Sequence, residues 1–344
     1  MDFTAPLLTW YDQHRRDLPW RGVGDPYAIL VSEIMLQQTR AKAVIPYYRR
    51  FMAELPTVRD LAACPEERVL KLWQGLGYYS RARNLQKCAR AVVDRYDGRF
   101  PSTVQELLEL PGIGPYTAGA IASMGFRVPA PAVDGNVLRI MARLYEDGAD
   151  VTKQPTRDRW AKTLQGAMSE RPGDLNQAFM DLGSLVCLPK APLCDSCPLK
   201  GLCLAHAHGT FDQYPNRGEK KPKRQEQLTV FAIRSGDSFL LRRRREQGLL
   251  GGLYELPNLP GHLSEQEIAR VLTQWGLAPL GAWEIRREKH IFTHVVWDME
   301  VVNLTAPKQA VEGLGWYTGA EPLPEAFLKC LKGQSTGELN HYNS

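Results

Sequence analysis

The sequence predicts two domains, an all-α domain followed by an α+β domain. Up to about Ala205, apolar residues recur at helical spacing in short segments that Pro and Gly interrupt. A polar stretch follows at residues 214–227, and beyond it the spacing changes to the alternation of β-strands. The length of 344 residues agrees with this division, because one domain usually contains about 100 to 200 residues.

The first domain is predicted at residues 1–213, and its first half is predicted to form a series of short helices. The second of these helices has the clearest start, because Asp25 is a good N-cap and Pro26 suits the first helical position. The predicted helices span residues 5–14, 26–38, 41–54, 66–73 and 81–96.

Residues 214–227 are predicted to link the two domains, since they are polar and include two prolines and five basic residues. The second domain is predicted at residues 228–344. It begins with a β-hairpin around a Ser-Gly-Asp turn at residues 235–237. A capping-box pattern then predicts a helix at residues 264–275, and further strands follow at residues 288–303.

Composition restricts the class of protein. Hydrophobic residues make up 44% of the chain and charged residues 24%, which is typical of a globular protein rather than a disordered one. No apolar run approaches the roughly 20 residues of a membrane span, and the first residues lack the regions of a signal peptide. We therefore expect a cytoplasmic protein without a membrane partner. The formal net charge of +5 permits a polyanionic partner.

Four of the seven cysteines lie in one short segment, with the spacing Cys187-x6-Cys194-x2-Cys197-x5-Cys203. A secreted protein would spread its disulfide pairs, so this clustering favours a reducing compartment and a metal site. Thiolates so close together must share a cation, which is either zinc or an iron–sulfur cluster. The segment lacks the paired x2 spacings of a zinc ribbon, which favours the cluster. Four Cys ligands leave no open coordination position, so the predicted role is structural.

A glycine-rich segment at residues 110–118 predicts a helix, a tight turn and a second helix. Gly112 and Gly114 expose backbone N–H groups at a helix N-terminus, where the helix dipole also favours a phosphate. The segment resembles the helix-hairpin-helix motif of DNA-binding proteins. An ordinary turn between two helices explains the same pattern equally well.

Two carboxylates are distinguished by their position in the sequence. Glu33 is the only charged residue between Asp25 and Arg40, and burial on so apolar a helix raises the pKa of a carboxyl group. A carboxylic acid that is still protonated near neutrality suits a general acid. The alternative is that Glu33 faces water. Asp134 precedes the apolar-periodic residues 137–144, and on its own it is better explained as an N-cap.

Taken together, these features resemble the helix-hairpin-helix DNA glycosylases with an iron–sulfur loop, and most closely the adenine DNA glycosylases of the MutY family. The resemblance covers roughly residues 5–210. A shorter resemblance links the second domain to the MutT-like, Nudix-fold modules of such glycosylases. Besides the four cysteines, the matching segments are residues 18–21, 32–39, 75–85, 110–116, 132–139, 251–257 and 290–294.

The resemblance implies that the chain, acting as a monomer, removes adenine paired with 8-oxoguanine or guanine in double-stranded DNA. This reaction begins base excision repair, and the adenine must first be flipped out of the duplex. Glu33 would protonate a ring nitrogen of adenine, and Asp134 would stabilise or transiently bond the sugar before water adds. Two carboxylates divide the work in this way in retaining glycosidases. The family also implies a 4Fe-4S cluster on the four cysteines.

The resemblance also leads us to expect the protein at the bacterial nucleoid. It assigns supporting roles to further residues. Tyr116 would support Glu33, Asn136 would hold Asp134, and Arg21 would help to form the adenine pocket. The other expected DNA-binding residues are the wedges Gln38 and Tyr78, the DNA-contacting Thr39, Gly112 and Gly114, and the 8-oxoguanine readers Phe292, Thr293 and His294. For both wedges, packing in the core is the alternative.

Position 116 separates two branches of this superfamily. Bifunctional enzymes of the endonuclease III type have a Lys there, whose amine attacks the sugar and leads to strand cleavage. Tyr116 has no amine to form such an imine, so the sequence predicts a monofunctional glycosylase. The competing interpretations are an endonuclease III-like pyrimidine glycosylase with lyase activity and a DNA-binding protein without catalysis.

Two departures from the family pattern concern the second domain. Thr293 stands where the 8-oxoguanine-reading loop commonly has Ser, and it keeps a hydroxyl for the same hydrogen bond. The helix at residues 264–275 lacks the series of carboxylates that binds metal in nucleotide hydrolases. The second domain is therefore predicted to read DNA rather than to catalyse a second reaction.

Overall fold

The computed structural model describes residues 2–168, 170–219, 222–317 and 321–331. The chain divides into two compact units, which we call the first unit and the second unit. The first unit contains Met1–Cys64 and Ser80–Lys220, and the second contains Pro65–Tyr79 and Lys221–Ser344. The first is helical and the second combines a sheet with helices, which confirms the predicted fold class. Pro65–Tyr79 departs from the predicted division, because it groups with the second unit.

The five helices predicted near the start of the chain are all present, with ends that differ by at most two residues from the prediction. The helices up to residue 207 are α1 (Thr4–His14), α2 (Pro26–Leu36), α3 (Ala41–Glu54), α4 (Val58–Ala63), α5 (Glu66–Leu72), α6 (Ser80–Tyr96), α7 (Val104–Leu108), α8 (Pro115–Phe126), α9 (Gly135–Leu144), α10 (Gln154–Gln165), α11 (Pro172–Leu185) and α12 (Leu204–Ala207). Of these, α5 lies in the segment that groups with the second unit.

Helix α2 lies in the interior of the first unit, where it packs against α3, α6 and α8. The Oδ1 of Asp25 accepts the Tyr27 N–H at 2.9 Å and Pro26 follows it, which confirms the predicted start. Residues 27–35 of this helix are all buried. A helix that is packed on every side has no solvent-facing stripe, so a polar side chain within it becomes buried as well. Glu33 is such a side chain.

A buried guanidinium fixes the C-terminal end of α2. The Nη1 of Arg81 donates to the carbonyls of Ile34, Met35 and Gln37 at 2.8, 3.0 and 2.5 Å. The last carbonyls of a helix have no partner within the helix, so these contacts satisfy them. The chain then turns at Gln38, which has a φ of +61°. The loop after α2 therefore starts from a fixed point.

The sheet of the second unit has the strand order β3-β2-β1-β6-β5, with β4 paired to β1 and β7 paired to β2. Its strands are β1 (Arg224–Ser235), β2 (Ser238–Arg243), β3 (Tyr254–Glu255), β4 (Asn258–Pro260), β5 (Glu284–Ile291), β6 (Val295–Thr305) and β7 (Gly315–Trp316). Besides α5, the described helices of this unit are α13 (Glu265–Gln274) and α14 (Glu325–Leu331). The predicted hairpin is confirmed, since β1 and β2 pair antiparallel with Ser235 opposite Ser238.

Helices α13 and α14 cover opposite faces of β1. Val230 packs in one core with Phe327 of α14, and the next residue, Phe231, packs in another core with Ile268 of α13. Successive side chains of a strand point to opposite faces, so this arrangement buries both sides of the strand. No helix in the described part of the chain has both the length and the apolar character needed to cross a membrane.

The first strand of the second unit begins earlier than the sequence predicts. It starts at Arg224, inside the segment 214–227 that is predicted as a linker. From the pair Arg224 and Val295 onwards, β1 lies parallel to β6. Backbone pairing thus orders a polar strand end whose side chains are largely exposed. The alternation of side chains cannot reveal such a strand end.

The turn between α7 and α8 contains two glycines with different requirements. Gly112 has a φ of +77°, and an added Cβ would lie 2.8 Å from the Cβ of Asn84. Gly114 is the N-cap of α8 with a φ of −100°, and an added Cβ would meet nothing within 4 Å. The turn therefore requires glycine at position 112 and not at position 114.

We predict that Gly112→Ala lowers the free energy of unfolding by about 1 to 3 kcal/mol, because of backbone strain and the contact with Asn84. Gly114→Ala is the matched control, and it should cost only about 0.5 kcal/mol through the weaker N-cap. Urea unfolding followed by circular dichroism measures both. Equal losses in the two variants would show that the left-handed residue is not what the turn requires.

Candidate active site

A cavity of about 620 Å³ in the first unit brings together side chains from distant parts of the sequence. We call it the active-site cavity. Helix α2, the loop after it, and helices α8, α9 and α11 supply its walls. The sequence-predicted site residues that line it are Arg21, Glu33, Gln38, Thr39, Tyr116, Asp134 and Asn136.

Glu33 is buried in this cavity wall, with 4% of its surface exposed. The hydroxyl of Tyr116 donates to its Oε2 at 2.6 Å. Burial raises the pKa of Glu33 to about 7, although the Tyr116 hydrogen bond opposes this shift. Burial also raises the pKa of Tyr116 well above its ordinary value, so the phenol stays a donor. The alternative that Glu33 faces water is wrong, and its carboxyl group is partly protonated near neutrality.

Asp134 is the N-cap of α9, as its sequence position predicts. Its Oδ1 accepts the backbone N–H groups of Asn136 and Val137, both at 2.8 Å. Its Oδ2 accepts the side-chain amide of Asn136 at 2.6 Å. Burial raises the pKa of Asp134, and these hydrogen bonds oppose the shift. One residue thus serves as a helix cap and also presents a carboxylate to the cavity.

Arg139 connects this carboxylate to the cysteine-containing loop. Its Nη2 donates to Asn136 Oδ1 at 3.0 Å and to the Gly183 carbonyl at 2.7 Å. Its Nε donates to the Cys187 carbonyl at 2.9 Å. An added Cβ at Gly183 would collide with the Asn136 side chain, so this close approach requires glycine. The position of Asn136, and through it Asp134, therefore depends on α11 and on the loop that follows it.

Arg21 is held by an acid that the sequence analysis does not single out. Both Nη atoms of Arg21 bond to Asp181 at 2.6 Å, and Arg16 Nε bonds to the same carboxylate at 2.7 Å. The Asp181 side chain has 0% exposure. The signal that identifies Glu33 applies here too, because Asp181 is the only charged residue between Asp174 and Lys190.

The remaining predicted DNA-contacting residues lie outside this cavity. Gly112 and Gly114 form the α7–α8 turn. In the second unit, the hydroxyls of Tyr78 and Thr293 lie 2.9 Å apart, and 47% of the Tyr78 surface is exposed. Tyr78 is therefore not a core residue, contrary to the packing alternative.

The loop at residues 292–294 rests on aromatic and backbone contacts within the second unit. The ring of Phe292 meets His290 and Trp297 edge to face, with centroid distances of 4.5 and 4.8 Å. The Nζ of Lys223 donates to the Phe292 carbonyl at 2.8 Å, and the Arg224 N–H donates to the His294 carbonyl at 3.0 Å. Thr293 and His294 themselves are exposed.

The four clustered cysteines line one small cavity of about 30 Å³, and none of them forms a disulfide. The Nη1 of Arg143 lies 3.4 Å from Cys187 Sγ. Burial and neighbouring thiolates raise the pKa of Cys197 to about 12 and also raise that of Cys203. Among the described residues, no three His, Cys, Asp or Glu side chains are already placed as a ligand set. Four sulfurs around one cavity nevertheless fit a cationic group, which would relieve this repulsion.

Comparison with known proteins gives two family matches. Residues 31–165 match the HhH-GPD superfamily of base excision DNA repair proteins, and residues 229–333 match the NUDIX domain. The chain is 37% identical to an adenine DNA glycosylase of Mus musculus, over 96% of this chain and 76% of the mouse protein. It is 30% identical to an adenine DNA glycosylase of Schizosaccharomyces pombe, over 85% of this chain and 79% of that protein.

Two solved structures are similar to the helical part of the chain. One is a thermostable thymine-DNA glycosylase, with a TM-score of 0.56 and 31% identity, covering 60% of this chain and 95% of that one. The other is endonuclease III in a non-covalent DNA complex, with a TM-score of 0.51 and 27% identity, covering 60% of this chain and 94% of that one. The first unit thus has the fold of proteins that act on DNA bases.

The burial of Glu33 predicts a pH-dependent stability. Its pKa of about 7 in the folded protein exceeds the value of roughly 4.3 for an exposed Glu. As the pH rises through this interval, Glu33 ionises first in the unfolded chain, so the folded state loses stability relative to the Glu33→Gln variant. We expect a relative loss of about 2 to 4 kcal/mol that is complete a little above pH 7.

Urea unfolding of both proteins across this pH range measures the effect. Glu109→Gln removes an exposed carboxylate of the same unit and is the matched control, for which we expect no such trend. Parallel stability curves for the wild type and Glu33→Gln would contradict a buried, proton-binding Glu33.

Proposed function

Because this chain belongs to the family of the adenine DNA glycosylases, we propose that it hydrolyses the N-glycosidic bond of adenine paired with 8-oxoguanine or guanine in DNA. The observation that carries this proposal is the buried Glu33, held by Tyr116 in one cavity with Asp134. A protonated acid beside an ionisable partner suits the cleavage of a bond whose leaving group is a base. Adenine excision would take place at the bacterial nucleoid, where the genomic DNA lies.

Glu33 would supply the proton in the first step. The flipped adenine enters the active-site cavity, and the carboxylic acid donates its proton to a ring nitrogen, so that the base leaves as a neutral molecule. A pKa of about 7 keeps a large protonated fraction at neutral pH, whereas an exposed Glu would be almost entirely ionised. The Tyr116 hydroxyl keeps the carboxyl group in one orientation.

Asp134 would carry the second step. Its carboxylate stabilises the positive charge that develops on the sugar, or bonds it transiently, before water adds and an abasic site results. The hydrogen bonds from Asn136 and Val137 favour the ionised form that this role requires. Burial raises the pKa of both groups, but three hydrogen bonds oppose this shift at Asp134 and one opposes it at Glu33. This difference suits Glu33 to act as the acid and Asp134 as the anion.

Tyr116 favours a monofunctional enzyme over the endonuclease III-like alternative. A phenol cannot form the imine through which a Lys amine leads to strand cleavage. The Tyr116 hydroxyl is also occupied by its hydrogen bond to Glu33. The second unit, which contains the NUDIX match, is a further difference from endonuclease III. The match to endonuclease III covers 94% of that chain but only 60% of this one, so it leaves little of that chain to form a second domain.

The four cysteines would hold a 4Fe-4S cluster, and the cluster would act as a structural crosslink of the loop after α11. Cys187, Cys194, Cys197 and Cys203 supply the four thiolates that such a cluster needs. The Arg143 guanidinium places a positive charge 3.4 Å from the sulfur of Cys187. Since Arg139 joins the Cys187 carbonyl to Asn136, an ordered loop also supports the position of Asp134.

The second unit would read the base opposite the adenine. The exposed Thr293 and His294 offer a hydroxyl and an imidazole. The ring of Phe292 packs against Trp297 and anchors this loop to the core of the second unit.

We predict that Glu33→Gln lowers the single-turnover excision rate by at least about a hundredfold, because the amide has no proton to give to the leaving base. Duplexes with adenine opposite 8-oxoguanine, treated with alkali after the reaction, report abasic sites as strand breaks. Binding measured by gel shift should be retained, and Glu109→Gln should cleave at the wild-type rate. Substantial excision by Glu33→Gln would remove this residue from the mechanism.

The same assay separates the two candidate enzymes. For a monofunctional glycosylase, borohydride should trap little protein–DNA adduct, and strand breaks should appear mainly after alkali. Efficient trapping, or excision of damaged pyrimidines in place of adenine, would favour the endonuclease III-like alternative.

We predict that the purified protein is brown and contains iron and acid-labile sulfide in equal amounts. Cys197→Ser should lose most of this iron, whereas Cys88→Ala, a buried cysteine outside the cluster segment, should retain it. Iron and sulfide analysis of the three proteins measures the difference. A colourless, folded protein with stoichiometric zinc would refute the cluster and leave the glycosylase proposal intact.

We predict that Thr293→Ala reduces the preference for 8-oxoguanine over guanine by up to about tenfold, which is the lower part of the roughly 1 to 3 kcal/mol that one base-edge contact contributes. Thr305→Ala, at the exposed end of β6, is the matched control. Single-turnover rates on the two duplexes measure the ratio. If both variants discriminate as the wild type does, Thr293 is not part of the reader.

A further inference from the structure

A second cavity, of about 930 Å³, lies beside the active-site cavity in the first unit. The residues that line both cavities are Arg16, Trp20, Arg21, Ile29, Met124 and Gln177. The two spaces are therefore separated by a wall that is only as thick as these side chains. None of the roles proposed above for the site residues involves this second cavity.

The second cavity opens to solvent at a different place from the active-site cavity. Arg15, Asp17 and Arg127 line only the second cavity, and all three are exposed. Gln38 and Arg40 line only the active-site cavity, and both are exposed. On the side of the second cavity, a molecule inside the active-site cavity is therefore separated from solvent by the shared wall alone.

Part of this wall is fixed and part of it is able to move. Arg16 and Arg21 are held by Asp181 through three hydrogen bonds of 2.6 to 2.7 Å. Met124 and Gln177 are only partly buried. Methionine has a flexible side chain that changes its rotamer easily, and Gln177 accepts one hydrogen bond, from the Tyr11 hydroxyl at 3.0 Å. An opening between the cavities would therefore form at Met124 and Gln177.

The proposed reaction creates a need for such an opening. The sugar of the flipped nucleotide must lie beside Asp134 while its base lies deeper, beside Glu33. After the bond breaks, the abasic DNA still fills the mouth through which the base entered. The free adenine is then enclosed until the DNA leaves or another path opens.

We propose that the second cavity is the exit chamber for the released base, a neutral purine that leaves past Met124 and Gln177 while the abasic DNA stays bound. The chamber suits such a molecule, because Tyr11 and Trp20 supply aromatic side chains and Gln177 supplies an amide on its wall. This inference rests on the proposed excision of adenine.

The test follows the two products separately. Full-length protein in excess reacts with a duplex that carries radiolabelled adenine opposite 8-oxoguanine. At each time one sample is quenched and treated with alkali to count abasic sites, and another is passed quickly through a membrane that retains protein-bound DNA. For the wild type we expect the label to pass the membrane as fast as abasic sites form, while the abasic DNA is retained.

Two variants obstruct the proposed path at different points. Met124→Trp thickens the wall, and Asp17→Trp fills part of the second cavity without touching the first. Release of the label should become slower than cleavage by about tenfold or more in these variants. Asp17→Trp should cleave at the wild-type rate. Gln13→Trp places the same side chain on an exposed position of α1 that lines neither cavity, and it should release the label as the wild type does.

Two outcomes would overturn the exit chamber. In the first, the wild type retains the label until the abasic DNA dissociates. In the second, Asp17→Trp and every folded Met124→Trp preparation release the label like Gln13→Trp. If no abasic sites form opposite 8-oxoguanine or guanine, the proposed function itself fails, which is distinguishable because cleavage is counted independently of release.

Discussion

The burial of a carboxyl group inside α2 is the constraint on which the first unit depends. An isolated ion in a protein interior is unstable, so Glu33 takes up a proton more readily than an exposed Glu does, and Tyr116 fixes its orientation. Asp134 is buried in the same cavity wall, yet it accepts three hydrogen bonds at the N-terminus of α9. Burial raises the pKa of both carboxyl groups, and more hydrogen bonds oppose this shift at Asp134 than at Glu33.

Buried arginines hold the surrounding framework together. Arg81 satisfies the end of α2, Arg21 is neutralised by Asp181, and Arg139 spans from Asn136 to the cysteine loop. Guanidinium groups suit these tasks because their planar donors reach several acceptors at once. Each of them joins segments that are far apart in sequence, so the site is rigid only when the whole unit is folded.

Local signals in the sequence identify the secondary-structure elements and the individual acidic residues, but not which of them come into contact in the folded protein. Asp25 and Pro26 locate the start of α2, and an acid among apolar residues identifies Glu33, because both depend on neighbouring residues alone. The Arg21–Asp181 pair joins positions 160 residues apart, and no local spacing encodes it. The early start of β1 is missed for a related reason, since its polar end is ordered by pairing with β6. The second cavity arises from the packing of four separate segments and has no motif.

The contacts of Lys223 and Arg224 determine where a chimera of two related proteins should be joined. These residues sit at the end of the predicted linker, yet they hold the carbonyls of Phe292 and His294. A chimera that takes its helical part from one relative and its sheet part from another should therefore be joined before Pro222. A junction placed later would give the grafted loop a foreign support, even though every residue of the loop itself was retained.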